Sequence, residues 1–371
     1  MLFGKSFHLP TLCCMFGTPL SPPSSSNPSH RSPMASSVRI AVVGDVHDDW
    51  NLQEDTKALQ LLQPDLVLFT GKSCFFLFLR KDRVQLQLEC LGEEHVGYRR
   101  VDYPSLKLSI VGGRPFSCGG EHLFRKALLD ARSQVGLRQN GLLLSHGLDF
   151  SAYVLDLVLS YYGVNCNSSN RNDSLRYGIQ DLDGSAKRIY EAALGAPEDH
   201  SVILLAHNGP TGLGSKINDI CGRDWVFGGG DHGDPDLAHA ISHLKETTQL
   251  RIPLVVFGHM HKELAYGNGL RKMIVVGDDN TIYLNGAIVP RVKRLGNHQT
   301  ANTQSSMNNK TSISSPNAED TVRAFTLVEI SGGKLQKIAE TWVSVTGDET
   351  SLQEEHILYR REHAGTENPM Q

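Results

Sequence analysis

An α/β layered fold is predicted on three observations. Short β-branched runs each empty into glycine or polar residues, stretches of helical spacing lie between them, and histidine or aspartate stands where several runs end. The first run, residues 38–43, stops at Gly44 and reads as a buried strand delivering its next residues to a loop. Residues 55–62 have helical spacing, and 65–70 form a second apolar run ending in Gly71. Further strands are expected at 106–111, 202–206, 254–257, 273–276 and 281–284, with helices at 122–135, 184–194 and 236–247. Strands resume at 325–330 and 341–345, expected as a terminal hairpin on the same sheet, because about forty residues make a weak domain alone.

The flanks differ in composition. Residues 1–37 hold no Asp or Glu and are rich in Ser and Pro, the bias of a plastid or mitochondrial transit peptide, with the chloroplast expected. The other reading is a disordered tail upstream of a start at Met34, which would leave the protein in the cytoplasm. The main domain is expected over 38–295, with an insertion at about 141–175 that carries no chemistry. Residues 296–321, Asn-, Gln-, Ser- and Thr-rich, read as a flexible linker or long loop. C-terminal strands are expected over 322–361, packing on the same domain, followed by a disordered tail at 362–371.

Charge excludes some partners. Over 371 residues, Lys plus Arg is 36 against 40 for Asp plus Glu, a net charge of −4. No general basic field argues for nucleic acid or an anionic membrane, so a small partner is expected. The most apolar stretch, 66–79, is broken by Lys72 and is shorter than the roughly 20 residues of a bilayer span. The seven cysteines are scattered without a CxxC pair, which argues against a disulfide framework and a cysteine-ligated zinc. Cys118 and Cys221 read as buried, inert thiols.

Three segments carry chemistry: Gly44-Asp45-Val46-His47 after the first strand, His207-Asn208 after a middle one, and Gly258-His259-Met260-His261 after a later one. In extended backbone, residues i and i+2 face one side, so Asp45 with His47 and His259 with His261 can each present two donors to one volume. Imidazole and carboxylate suit Mn, Fe or Zn, and a metal pair is the usual device for displacing a phosphate oxygen with water. A lone DxH or HxH is weak; three such elements in order are not.

These segments resemble the calcineurin-like metallophosphoesterase superfamily, whose signature runs GDxH, GD, GNH[DE], a single His, and GHxH. The stretches VRIAVVGDVHDDW, LVLFTG, LGEEHVGY, KLSIVGGRPFSCGG, VILLAHNGPTGLG, GGGDHGDPDL, PLVVFGHMHK and YLNGAIVPR look like a plant and cyanobacterial subfamily. The resemblance implies a four-layer αββα sandwich with a C-terminal strand extension, two metals at its edge, and phosphoester hydrolysis. It places Asp45, His47 and His261 on the first metal and His207 and His259 on the second.

Gly71, however, is followed by Lys72-Ser73-Cys74 where the family has a bridging aspartate, and no GNH[DE] follows. About forty family residues are missing, as an alternative transcript or faulty gene model would leave. At most one divalent metal and an impaired hydrolase are therefore expected. The alternatives are a catalytically inactive binding or regulatory protein, and a mis-spliced product. A small phosphorylated substrate would meet Asn208, Arg114 and His232. Arg114 can equally brace a turn, and Asn208 can satisfy backbone groups. The loop holding Asp231, His232 and Asp234 either covers the site or caps the helix after Pro235. Should the missing ligands lie elsewhere, Asp82, Asp102 and His95 are the first candidates.

Overall fold

The computed structural model describes residues 37–46, 49–70, 94–115, 117, 119–121, 153–156, 177–295 and 320–362, with backbone alone at 153–156. His47, the leader, the expected helix at 122–135, most of the 141–175 segment and most of 296–321 lie outside the described residues.

The chain is mixed α/β, with two mixed sheets among the described residues. In the first, β1 (Ser37–Val43) lies parallel to β2 (Leu66–Phe69) and antiparallel to β11 (Thr321–Ser331), which continues to β12 (Lys334–Thr346) and β13 (Glu349–Arg360). The short β10 (Val292–Arg294) pairs with the start of β11. In the second sheet, β4 (Leu108–Gly112), β6 (Ser201–Leu205), β7 (Arg251–Phe257) and β9 (Ile282–Asn285) run parallel, edged by antiparallel β3 (Arg100–Tyr103) and β8 (Ile274–Val276). The α-helices among the described residues are α1 (Leu52–Leu62), α2 (Leu182–Ala193) and α3 (Pro235–Thr247). None among the described residues is long and apolar enough to cross a membrane.

Alternation along β1 sets its two faces. Ile40 and Val42 join a cluster with Ile110, Leu204 and Val255 of the second sheet, while Ala41 and Val43 join Ala58 and Leu62 of α1. The start of α1 is set by Asn51, whose side chain accepts from the Gln53 and Glu54 N–H groups, satisfying donors a helix start leaves open. Its opening turn is then tied to the C-terminal strands. Buried Asp55 pairs with Arg291 at 2.5 Å and Arg323 at 2.7 Å, and Arg323 also reaches Glu54. Two guanidiniums between two carboxylates leave no buried charge uncompensated, the condition under which such a group is tolerated.

Four strands differ from the sequence reading. β13 has mostly exposed residues and carries Glu354, Glu355 and His356, so apolar periodicity never signalled it. β3 is short and only partly buried at most positions, β10 is short and mostly exposed, and both gain their pairing from neighbours. The segment read as an insertion contributes β5 (Tyr153–Asp156), parallel to β2. Gly332 and Gly333, at φ 57° and 71°, form the two-residue β11–β12 turn. Gly347-Asp348 makes the β12–β13 turn, with Asp348 paired to Lys57 at 2.8 Å.

Candidate functional site

The ends of β1, β2, β6, β7 and β9 meet, and backbone contact between them is close. A Cβ on Gly44 would lie 2.2 Å from the Gly286 carbonyl oxygen, and one on Gly258 would lie 2.3 Å from Thr70 Oγ1. Only glycine allows this approach. The segments carrying Asp45 and His259, far apart in the chain, are thereby joined. Asp45 Oδ2 accepts a 2.6 Å hydrogen bond from the His259 backbone N–H. Both residues have positive φ, 39° at Asp45 and 69° at His259, a conformation that costs free energy for non-glycine residues and collects at functional sites.

Asp45 is 1% exposed, and its Oδ1 is buried with no hydrogen-bond partner among the described residues. Burial pushes its pKa up to about 7, with the His259 N–H working in the opposite direction. A buried carboxylate oxygen of this kind fits a cation, since a positive charge replaces the solvation lost on folding.

His207 is fully buried, and its Nδ1 donates to the Thr70 carbonyl at 2.8 Å. This fixes the tautomer and makes Nε2 the basic nitrogen, the arrangement by which backbone carbonyls orient metal-binding histidines. The His207 and His259 rings lie 4.9 Å apart, and His232 stacks on His259 at 5.9 Å. Trp225 meets His232 edge-on at 4.9 Å. His261 is half-buried, and its carbonyl accepts from Arg271 Nε at 2.9 Å.

Asp45, His207, His259 and His232 are thus brought to one region. His47 lies outside the described residues. Among the described residues no group of three or more His, Cys, Asp or Glu side chains is arranged to hold a metal ion.

Arg114 is placed away from the role of a phosphate contact. It is 1% exposed and pairs with Asp234 at 2.7 Å and Asp236 at 3.3 Å. Such a guanidinium is committed to neutralising two buried carboxylates, so bracing is the role its geometry supports. Ser117 Oγ and Asn208 Nδ2 also donate to Asp234, at 2.6 and 3.2 Å. Even so, burial pushes the Asp234 pKa up, against the opposing pull of Arg114. Asn208 Nδ2 also donates to the His232 carbonyl at 2.7 Å, the backbone-satisfying role, while its Oδ1 is buried with no partner among the described residues.

The Asp231 carboxylate accepts from the Thr211 hydroxyl and the Gly212 and Gly233 N–H groups, which shapes the loop presenting His232. Asp234 is the residue preceding α3, but its side chain makes no capping bond because Arg114 holds it. Burial pushes the Cys221 thiol far above its usual range, leaving it unreactive. His95 bonds Tyr177 at 2.9 Å, and Asp102 is held by Arg100 and Ser109.

Two supporting residues were not singled out from the sequence. Asn285 Nδ2 donates to the Met260 carbonyl at 2.6 Å and its Oδ1 accepts from the Ala287 N–H, clamping the His259–His261 turn. Arg271 is 4% exposed and binds the Asp219, Gly222 and His261 carbonyls as well as Asp224. An Asn-Gly pair ending a strand was the available signal for the first. Nothing local signals the second.

No protein-family model matches the chain, and no curated protein sequence matches it significantly.

Proposed function

We propose that this chain is a calcineurin-like metallophosphoesterase with an αββα sandwich, a weak phosphoester hydrolase working with one divalent metal, Mn, Fe or Zn. The observation that carries the reading is the 2.6 Å bond between Asp45 and the His259 backbone, which joins the GDVH and GHMH segments beside His207. The sandwich is supported by the core shared between the sheets and by α1 on the other face of the first sheet. Asp45, His207, His259 and His261, with His47, would hold the metal, which when bound supplies an activated water and neutralises phosphoryl oxygens.

In this reading the chain's residues have separate tasks. Asp45 gives up its proton when the cation binds, because cation and proton compete for one buried carboxylate. Thr70 keeps His207 in the tautomer whose Nε2 is a donor, and Asn285 holds the His259–His261 turn in place. His232 offers an imidazole to the phosphoryl group, and Asn208 its carboxamide. The substrate is a small phosphorylated molecule, and neither nucleic acid nor membrane takes part. The acid-free leader directs the protein to plastids.

The pairing of Arg114 with Asp234 and Asp236, which takes it away from any phosphate, favours a second reading, a binding or regulatory protein with impaired chemistry. Elemental analysis after dialysis, together with hydrolysis of bis-p-nitrophenyl phosphate in Mn, separates the two. Bound metal and slow turnover, both lost in Asp45→Ala and His259→Ala, support the hydrolase. Metal-independent behaviour refutes it.

A further inference from the structure

We infer that the chain carries a second, anion-binding site at the opposite end of β7 from the histidines, fitted to a small diphosphate-bearing ligand. A cleft of about 310 Å³ opens there between the two sheets. That volume is at the small end of ligand sites. Its rim brings four cations from four places in the chain: Lys245 of α3, Arg251 at the start of β7, Lys334 at the start of β12, and Arg361 just after β13.

One acidic residue, Asp279, lines the same cleft, and it is already paired with Lys245 at 2.6 Å. Among the described residues Arg251, Lys334 and Arg361 have no carboxylate partner, although the chain as a whole is acidic at −4. Three uncompensated positive charges converging on one hollow repel one another and focus a positive potential there, which an anion relieves.

The hollow is shaped by backbone as well as by charge. A Cβ on Gly333 would sit 3.1 Å from Arg251 Nη1, so the φ 71° glycine lets the guanidinium lie against the β11–β12 turn. Arg251 Nη2 donates to the Asp199 carbonyl at 2.9 Å, which orients the fork. Buried Ile252 and Leu335 form an apolar floor. The three uncompensated cations exceed the charge of about −1.5 to −2 on a single phosphoryl group, and two linked phosphoryl groups come closer to balancing them. The seven residues of β7 put this cleft roughly 20 Å from His259 at ~3.3 Å per residue, so the two sites are separate.

The test is a titration of the full chain with inorganic pyrophosphate in EDTA at constant ionic strength, by calorimetry and thermal melting. One pyrophosphate per chain, a higher melting temperature, and weaker binding of orthophosphate are expected. Charge reversal in Lys334→Glu/Arg361→Glu should weaken binding at least tenfold. Lys334→Gln, which keeps the surface neutral, gives an intermediate loss should the double variant melt early. The variant His207→Ala/His259→Ala should bind as the parent does. Undiminished binding in the charge-reversed chain, loss of binding in the histidine variant, or no binding by the parent at millimolar pyrophosphate would each overturn the assignment.

Discussion

Asp45 and His259, 214 positions apart in the chain, are joined by a 2.6 Å hydrogen bond from the backbone of one to the carboxylate of the other. The bond ties the end of β1 in the first sheet to the end of β7 in the second. Each residue is in the left-handed region, and Asp45 keeps one oxygen buried with no partner among the described residues. Strain and an uncompensated polar atom at one point are a cost the rest of the fold has to offset.

That cost makes the metal-free chain pH-sensitive. The folded-state pKa of Asp45 is about 7 against 3.8 for an ordinary aspartate, so the folded chain keeps a proton that the unfolded chain has already lost. The contribution of this group to stability is therefore highest below pH 4, falls as pH rises from 4 to 7, and is flat above. Asp45→Asn removes the effect and should stabilise the metal-free chain at pH 8 by a few kcal/mol, on the order of 1.4 kcal/mol for each pH unit separating the folded and unfolded values. Urea melts at pH 5 and pH 8 read it. A parent chain more stable at pH 8, with the variant following the same trend, would contradict the burial argument.

Metal content gives the second expectation. Purified chain dialysed against buffer should retain at most one Mn, Fe or Zn, and the cation should raise the melting temperature more at pH 8 than at pH 5, because it must displace a proton from Asp45. Two metals retained per chain would overturn the single-metal reading.

Arg114 provides a test of structure against catalysis. Arg114→Ala leaves Asp234 and Asp236 buried without their cation, and should cost about 3–5 kcal/mol in unfolding free energy. A phosphate-binding arginine would instead raise KM with little change in stability. Denaturant unfolding beside steady-state kinetics separates these outcomes.

Gly44→Ala and Gly258→Ala should both misplace the histidines. The added methyl would meet backbone at 2.2 Å in the first and the Thr70 side chain at 2.3 Å in the second. Gly44→Ala is expected to be the more damaging, since backbone cannot rotate away as a hydroxyl can, and its loss of stability should exceed about 2 kcal/mol. Equal melting temperatures for parent and Gly44→Ala would mean that the strand ends are looser than described.

Turnover is expected to be low. Absence of a charge-stabilising or proton-donating group typically lowers rate by about 10²- to 10⁴-fold. On the proposed reading, grafting a GD-to-GNH[DE] segment of the calcineurin-like superfamily after Gly71 should raise hydrolysis of bis-p-nitrophenyl phosphate with Mn, and His259→Ala should remove the gain. If the chain as it stands matches the graft, its ligands are complete without that segment.

Local pattern was enough for the elements with much buried surface: strands covered on both faces leave short continuous apolar runs, and helices buried on one face leave a 3.6-residue period. β1, β2, β6, β7, α1 and α3 were legible in this way, as were Asp45, His207 and His259 at strand ends. Tertiary structure alone decided what each side chain faces. Arg114 and Asp234 lie 120 positions apart, and no periodicity reports that their charges meet in the interior. The same holds for Asp55 with Arg291 and Arg323, and for Arg271 among loop carbonyls. β13 has too little buried surface to leave a pattern, and its strand form comes from ladder bonds to β12. Residue order determines which groups are available and which surfaces must be covered; the Asp45 to His259 bond and the convergence of cations on the far cleft depend on how two sheets close on each other, which no short stretch of chain encodes.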